Sequence, residues 1–481
     1  MPGLESLMLG EKTAVVFDIG SVYTKCGFAG ETGPRFIIPT EITVPTGARK
    51  SFTSVREKDK RQEFLITFLH NIYYRHLLVN PKDRRVVIVE SVLCPSSFRE
   101  VLAEVLFNHF EAPSVLFASS HLMALFTLGI SAAVVLDCGY TDAQIIPVYE
   151  GYTLLNAWQA AQLGSKRIHE NIRSYLNEKA RLVDVINEES HFSPCPDHFV
   201  SEHTIEDIKV RTCFVSPQSR AVQWKKWQDS ADSSIKKPDS YEETFIFPLD
   251  SLGDERPIQV PSDIRELAVE CLFSGDNDQI TITTLILKSL LLVPIDIRRK
   301  LAENIVLIGG TTMLPGFIPR LMEELNSHLE LPEFSKLHAL KGSFKFHNPP
   351  GEANYVGWLG GAIFGALECL PGRSLSRTSY LENGLVPDWC TQIDQSIQIW
   401  KDRMLLVSNS HNFCMMHLWF LLTVILICYF LRVSVLLSCF FFFWSCLKEL
   451  ICDNFVSQLT TTFIIFSNGI LRSIFCTSCS R

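Results

Sequence analysis

Two short apolar blocks ending at an Asp-x-Gly turn mark the first third of the chain. Residues 13–20 read Thr-Ala-Val-Val-Phe-Asp-Ile-Gly, and residues 131–139 read Ser-Ala-Ala-Val-Val-Leu-Asp-Cys-Gly. Each is followed by a second strand-like run, residues 24–29 and 143–149. A strand, a sharp turn and a returning strand, occurring twice, predict a duplicated α/β domain with a cleft between its halves. A third block, Ile305-Val-Leu-Ile308, is apolar throughout, as a buried parallel strand is. Gly309-Gly310 then turns the chain and bares its backbone, Thr311 and Thr312 open the next element, and Pro315-Gly316 interrupts it.

Helical periodicity predicts further elements at residues 64–74 and 98–110, the latter with Leu102, Val105, Leu106 and His109 on one face. A strand is expected between them at 85–90. Helices are expected at 166–176, 205–212, 264–273, 281–292, 317–329 and 352–367. The last contains Trp358-Leu-Gly-Gly-Ala, whose small residues permit close backbone approach. Residues 224–263 are polar and rich in Asp, Ser and Pro, and read as turns, short strands and exposed loop.

At 481 residues the chain can build two or more cores. A net charge of −8 without a basic stripe argues against nucleic acid as a partner. Eight cysteines before residue 400 are scattered without metal-ligand spacing and read as buried, reduced thiols. Residues 1–12 lack the apolar core of a secretory signal. Residues 413–431 hold no Asp, Glu, Lys or Arg, and residues 433–447 are again apolar. The first block has the length of a transmembrane helix, which needs roughly 20 apolar residues. Its Phe-, Cys- and Ser-rich composition, without helical caps, favours an alternative-splice or read-through product over an anchor.

From about Lys12 to Trp389 the chain resembles the actin-related proteins. The run from Asn304 to Phe317 looks like that family's adenosine motif, supported by Lys25-Cys-Gly-Phe-Ala-Gly-Glu-Thr-Gly-Pro-Arg35, Asp207-Ile-Lys-Val-Arg-Thr-Cys-Phe-Val215 and the stretch from Asn348-Pro-Pro to Leu359-Gly-Gly. Leu77-Leu-Val-Asn-Pro, Glu90-Ser-Val-Leu-Cys-Pro, Ser120-His-Leu-Met-Ala and Val386-Pro-Asp-Trp-Cys390 resemble the branch of the family found at the pointed end of dynactin. The resemblance implies an actin-like (actin/Hsp70/sugar-kinase) two-lobed α/β fold with a central nucleotide cleft. Its parts would be an N-terminal tail (1–12), a first lobe (13–130), a second lobe (131–370) with an outer subdomain at about 165–275, a segment returning to the first lobe (371–400), and the hydrophobic tail (401–481).

The same resemblance implies ATP or ADP with Mg²⁺, held weakly or not at all. Asp18 and Asp137 would hold the metal, mostly through water. Gly20, Ser21, Lys25, Gly139, Lys209, Gly309, Gly310 and Thr311 would complete the nucleotide site. Departures are several. Val22 and Thr141 replace loop glycines, adding side chains where bare amides should meet phosphate. Val210 stands where an acid should bond the ribose, Leu314 replaces an aromatic residue, and Asn354 replaces a basic one. His121 takes the place of the glutamine that positions the attacking water, although packing beside Leu122 and Met123 is the favoured role for it. These losses imply a non-enzymatic, structural protein.

The segment at about 40–62 is much shorter than the small subdomain of filament-forming relatives, which suits a filament terminator. Implied partners are the dynactin actin-like filament and pointed-end subunits, with dynein and cargo adaptors beyond, in the cytoplasm and cytoskeleton. A membrane partner is implied only if the 413–447 tail is an anchor. The alternatives are a nucleotide-hydrolysing chaperone-type ATPase and a nuclear subunit of a chromatin complex.

Overall fold

In a computed structural model the described residues are 12–387, excluding 45–48, 53–54, 56, 180, 187–188, 195–200, 230–235, 240–243, 248–257 and 276–277. The apolar tail, residues 413–431 included, lies outside them, as do residues 1–11, Cys195 and Cys390.

Two sheets carry the same arrangement. In the first, β1 (Val15–Ile19) pairs antiparallel with β2 (Tyr23–Phe28), which pairs with β3 (Phe36–Pro39). A hairpin of β4 (Glu41–Thr43) and β5 (Arg49–Ser51) stands apart. On its other edge β1 lies parallel to β6 (Val86–Glu90), and β6 parallel to β7 (Ser114–Ser119). In the second sheet β8 (Ala133–Cys138) pairs antiparallel with β9 (Ala143–Tyr149) and parallel with the strand Ile305–Ile308, which lies parallel to Phe346–His347. Antiparallel, parallel, parallel is thus repeated, so the duplication read in the hairpins extends through both sheets.

Alternation along the strands sorts side chains into three cores. Val15 and Phe17 face a core with the helix α1 (Lys58–Asn71) and with α2 (Ser96–Glu104). Val16 faces the opposite way, into a core shared by both sheets and filled by α3 (Ser120–Leu128) and the helix Val356–Gly365. Val134, Leu136 and Leu307 face a third core with α4 (Ser165–Lys179), α5 (Glu202–Thr212) and the helices Ile282–Leu292 and Phe317–His328. The layers run helix, sheet, helix pair, sheet, helix, which is the duplicated actin-like α/β fold.

The central helix pair is packed backbone to backbone. Gly360 sits so close to α3 that an added Cβ would lie 1.8 Å from the Met123 carbonyl oxygen. Trp358 is fully buried and its indole N–H donates to the Val16 carbonyl at 3.0 Å. A helix late in the sequence therefore clasps the first strand of the chain. The strand Leu375–Ser376 also returns to the first sheet, against β7.

Several elements differ from expectation. The helix at 98–110 ends its α-form at Glu104 and continues as a wider π turn, Val105–His109, which turns His109 to solvent. The stretch 264–273 is two short pieces, Ile264–Leu267 and Glu270–Leu272, rather than one helix. Residues 224–263 were expected to avoid helix, yet Gln218–Asp229 is helical, with Trp224 buried and donating to Glu266 Oε2 at 3.3 Å. Its sequence hides a stripe of only two buried side chains among lysines and glutamines. Cys26, Cys138, Cys213 and Cys271 are buried free thiols, while Cys94 and Cys369 are half-buried.

Candidate functional site

The duplicated hairpins set two carboxylates at the walls of one cavity. Antiparallel pairing places Lys25 directly across from Asp18, and Lys25 Nζ donates to Asp18 Oδ2 at 2.9 Å. The same register in the second copy places Gln144 across from Asp137. The turns match as well: the Gly20 N–H bonds the Tyr23 carbonyl at 3.1 Å, and the Gly139 N–H bonds the Asp142 carbonyl at 3.0 Å. The two hairpins differ in charge. Asp18 has a lysine opposite, whereas Asp137 has an amide. Burial, and then the Asp18 charge, push the Asp137 carboxyl up to about 6, against the smaller effects of Lys25 and of a Ser120 hydroxyl bond.

The cavity, about 640 Å³, lies between the hairpin turns and the Gly309-Gly310 bend. It has the size of a small-molecule site. Its lining includes all ten candidates: Asp18, Gly20, Ser21, Lys25, Asp137, Gly139, Lys209, Gly309, Gly310 and Thr311. Thr311 Oγ1 donates to the Gly139 carbonyl at 2.7 Å, fastening the third apolar strand's turn to the second hairpin. Gly309 has φ +92°, and a Cβ there would meet the Cys138 carbonyl oxygen at 2.2 Å, so packing alone demands glycine. Gly310 and Gly139 are different. A Cβ at either would meet only one atom within 4 Å, at 3.8 and 3.9 Å, and neither has a positive φ. Their bare surfaces leave room on the cavity wall for something outside the protein.

His121, placed by resemblance at the water-positioning site, does not line the cavity. It is buried, its Nε2 is 2.9 Å from Thr153 Oγ1, and Nδ1 has no partner. The neighbouring Ser120 lines the cavity instead, with Oγ 3.4 Å from Asp137 Oδ2. Histidine thus takes the packing role, and the preceding serine stands on the wall. Burial drives the His121 pKa down to about 3. The unfolded chain binds this proton below pH 6.5 while the folded chain does not until about 3, so stability present above 6.5 is lost on acidification. Replacing His121 by leucine should therefore remove about 2 kcal/mol of the stability loss between pH 7 and pH 5. Urea denaturation of both proteins at each pH measures it.

Other wall residues were not singled out in the sequence. Gln144 donates through Nε2 to Ser91 Oγ at 2.7 Å, and its buried Oε1 has no partner. Counting the register from the duplicated Asp would have found it. Glu206 and Lys209 stand one turn apart on α5, with Lys209 Nζ 2.6 Å from Glu206 Oε2. Behind them His169 contacts Glu202 through Nδ1 at 3.2 Å and Glu206 through Nε2 at 2.8 Å. Burial opposes the imidazolium, but the Glu202 and Glu206 bonds prevail and raise its pKa. Arg99 pairs with Glu90, a buried wall residue, and donates to the Pro387 carbonyl at 3.0 Å.

Five carboxylates (Asp18, Glu90, Asp137, Asp142, Glu206) and three cations (Lys25, Arg61, Lys209) line the cavity. A polyphosphate entering it needs an accompanying divalent cation, and the destabilised Asp137 carboxylate facing Asp18 is suited to such an ion. Among the described residues no cluster of three or more His, Cys, Asp or Glu could hold a metal. A cation here would share coordination with the ligand's own oxygens and water. The lining could accommodate a Mg²⁺–nucleotide, in which Asp18 and Asp137 would hold the metal through water, Lys25 would meet phosphate and the Gly309-Gly310 surface would offer room for the base.

The family described as Actin matches residues 9–392 of this chain. The chain belongs to the actin family. It is 29% identical to actin-related protein 10 of Dictyostelium discoideum over 457 residues, covering 81% of this chain and 92% of that protein. It is 25% identical to putative actin-29 of the same organism over 401 residues, covering 77% of this chain and 95% of that protein. Val22, Thr141 and Val210, read in the sequence as departures from the motifs, all line the cavity. Among the described residues no helix is long and apolar enough to cross a membrane.

Proposed function

We propose that this actin-related chain is a structural subunit of dynactin, ending the complex's actin-like filament at the pointed end and so supporting dynein-based movement along microtubules in the cytoplasm. The nucleotide would serve as a brace between the lobes rather than a substrate. The observation that carries this reading is the joint state of cleft and hairpin. Both acids line one cavity, and Val22 and Thr141 put side chains on its wall where the resemblance expects bare glycines. Between β3 and α1 the chain spends fewer than twenty residues, from Thr40 to Glu57, on what is a whole subdomain in filament-forming relatives. The β4–β5 hairpin there carries an Arg49–Glu41 ion pair at 3.1 Å. A filament former must offer a contact at both ends, and so short a hairpin leaves one end without an element to enter the next subunit. Similarity to actin-related protein 10 of Dictyostelium supports placing the chain in a divergent branch of the family rather than among the actins.

The test is assembly. The full chain should copurify in a fixed, low stoichiometry with the dynactin filament and its pointed-end subunits. Alone, under salt and nucleotide conditions that polymerise actin, it should remain in the supernatant on high-speed sedimentation. Extended homopolymers, or copurification with chromatin-remodelling subunits in place of dynactin, would overturn the reading.

A further inference from the structure

The residue where family resemblance expects a ribose-binding acid is Val210, which is 66% exposed at the cavity edge. Valine has no acceptor for a sugar hydroxyl. Four residues earlier on α5, and so on the same helix face, stands Glu206, which lines the same cavity. Its Oε2 is engaged by Lys209 Nζ at 2.6 Å and His169 Nε2 at 2.8 Å. Its Oε1 accepts from no described group. Although burial opposes ionisation, the bonds from His169 and Lys209 bring the Glu206 pKa down to about 2, so the group is an acceptor only. Its charge is felt across the cleft at the Tyr23 phenol, whose pKa rises through burial and then through Glu206.

Resting on the nucleotide reading above, we propose that Glu206 takes over sugar recognition from position 210: its unengaged Oε1 accepts from the vicinal hydroxyls of a ribonucleotide. Lys209 and His169 hold the carboxylate in one orientation by its other oxygen, so the acceptor is fixed before the ligand arrives. A sugar lacking those hydroxyls would offer this partly buried carboxylate oxygen no donor. Sites built to bond a hydroxyl discriminate strongly against analogues without it. Glu206 is thus a specificity determinant of this chain's own making.

The experiment is calorimetric titration of the full chain with Mg-ADP and with Mg-2′,3′-dideoxy-ADP. The wild-type protein should bind ADP at least about tenfold more tightly. In Glu206→Ala the ratio should collapse to below about threefold, and adding Val210→Glu should restore it. Glu206→Gln is nearly isosteric, so it folds as a control; its one carbonyl oxygen is held by Lys209 and His169 and its NH₂ group, which can only donate, faces the sugar, so it should give an intermediate ratio. A wild-type ratio near one, or a ratio unchanged in both Glu206 variants, overturns the proposal while leaving the nucleotide reading standing. Binding of neither nucleotide by the wild-type chain overturns the nucleotide reading itself, and this proposal with it.

Discussion

Replacing Gly360 by valine should leave no cooperatively folded protein. The new Cβ would lie 1.8 Å from the Met123 carbonyl oxygen, and the next glycine already approaches Val89, where an added Cβ would lie 2.4 Å from Cγ2. Met123 belongs to the neighbouring helix α3 and Val89 to β6 of the first sheet, so the helix is hemmed in on two sides. Helix α3 would have to shift by more than an ångström, separating the Val16, Val135 and Ile308 side chains packed around it. Overpacking of this kind typically costs about 1–3 kcal/mol, and a clash with backbone on a helix held from two sides belongs above that range. Against a net stability of about 5–15 kcal/mol, one such substitution is sufficient to unfold a marginal protein. The control is Gly372→Ala, where an added Cβ meets nothing within 4 Å and stability should change by no more than about 0.5 kcal/mol. Thermal unfolding by circular dichroism distinguishes the two.

The Asp137→Asn variant should gain stability and lose ligand together. Because the folded carboxyl titrates at about 6 against an ordinary value of 3.8, the charged form is disfavoured in the native state. A raised acid pKa costs stability above the folded pKa and returns it as pH falls towards the unfolded one. At pH 7 the cost is about 3 kcal/mol, and at pH 5 about half of that remains. Asparagine removes the titration, so its advantage should be largest at pH 7 and halve by pH 5. The same change removes a carboxylate that would hold Mg²⁺ through water, and losses of that kind lower affinity about 10–100-fold. A destabilised variant with unchanged Mg-ADP binding would contradict both halves.

Much of the fold was legible because the sequence repeats itself. The paired apolar blocks ending in Asp18 and Asp137 fixed two hairpins, and the block before Gly309 fixed the parallel neighbour of the second. What could not be read was which late element joins which early one. The alternation of Trp358-Leu-Gly-Gly shows a crowded helix, but nothing local says that its partners are Val16 and Met123, more than two hundred residues upstream. The helix Gln218–Asp229 was missed because its buried face is two residues wide. At the site, the ten candidate residues all line the cavity, whereas His121 does not. Motif matching does not separate neighbouring positions at a helix start, where Ser120 and not His121 stands on the wall. Glu206 is not marked by the motif, which points to position 210 and says nothing of the same helical face one turn away.

The Trp358 bond to Val16 has a further consequence for how the molecule comes apart. The first lobe is closed by a helix more than three hundred residues after its first strand, so on the ribosome the part of its inner sheet face that this helix covers stays open until about residue 365 has emerged. Packing of the first lobe is therefore incomplete until that helix has been made. Cutting the gene between the second hairpin and that helix would likewise yield two insoluble fragments, which could regain solubility only by being produced together.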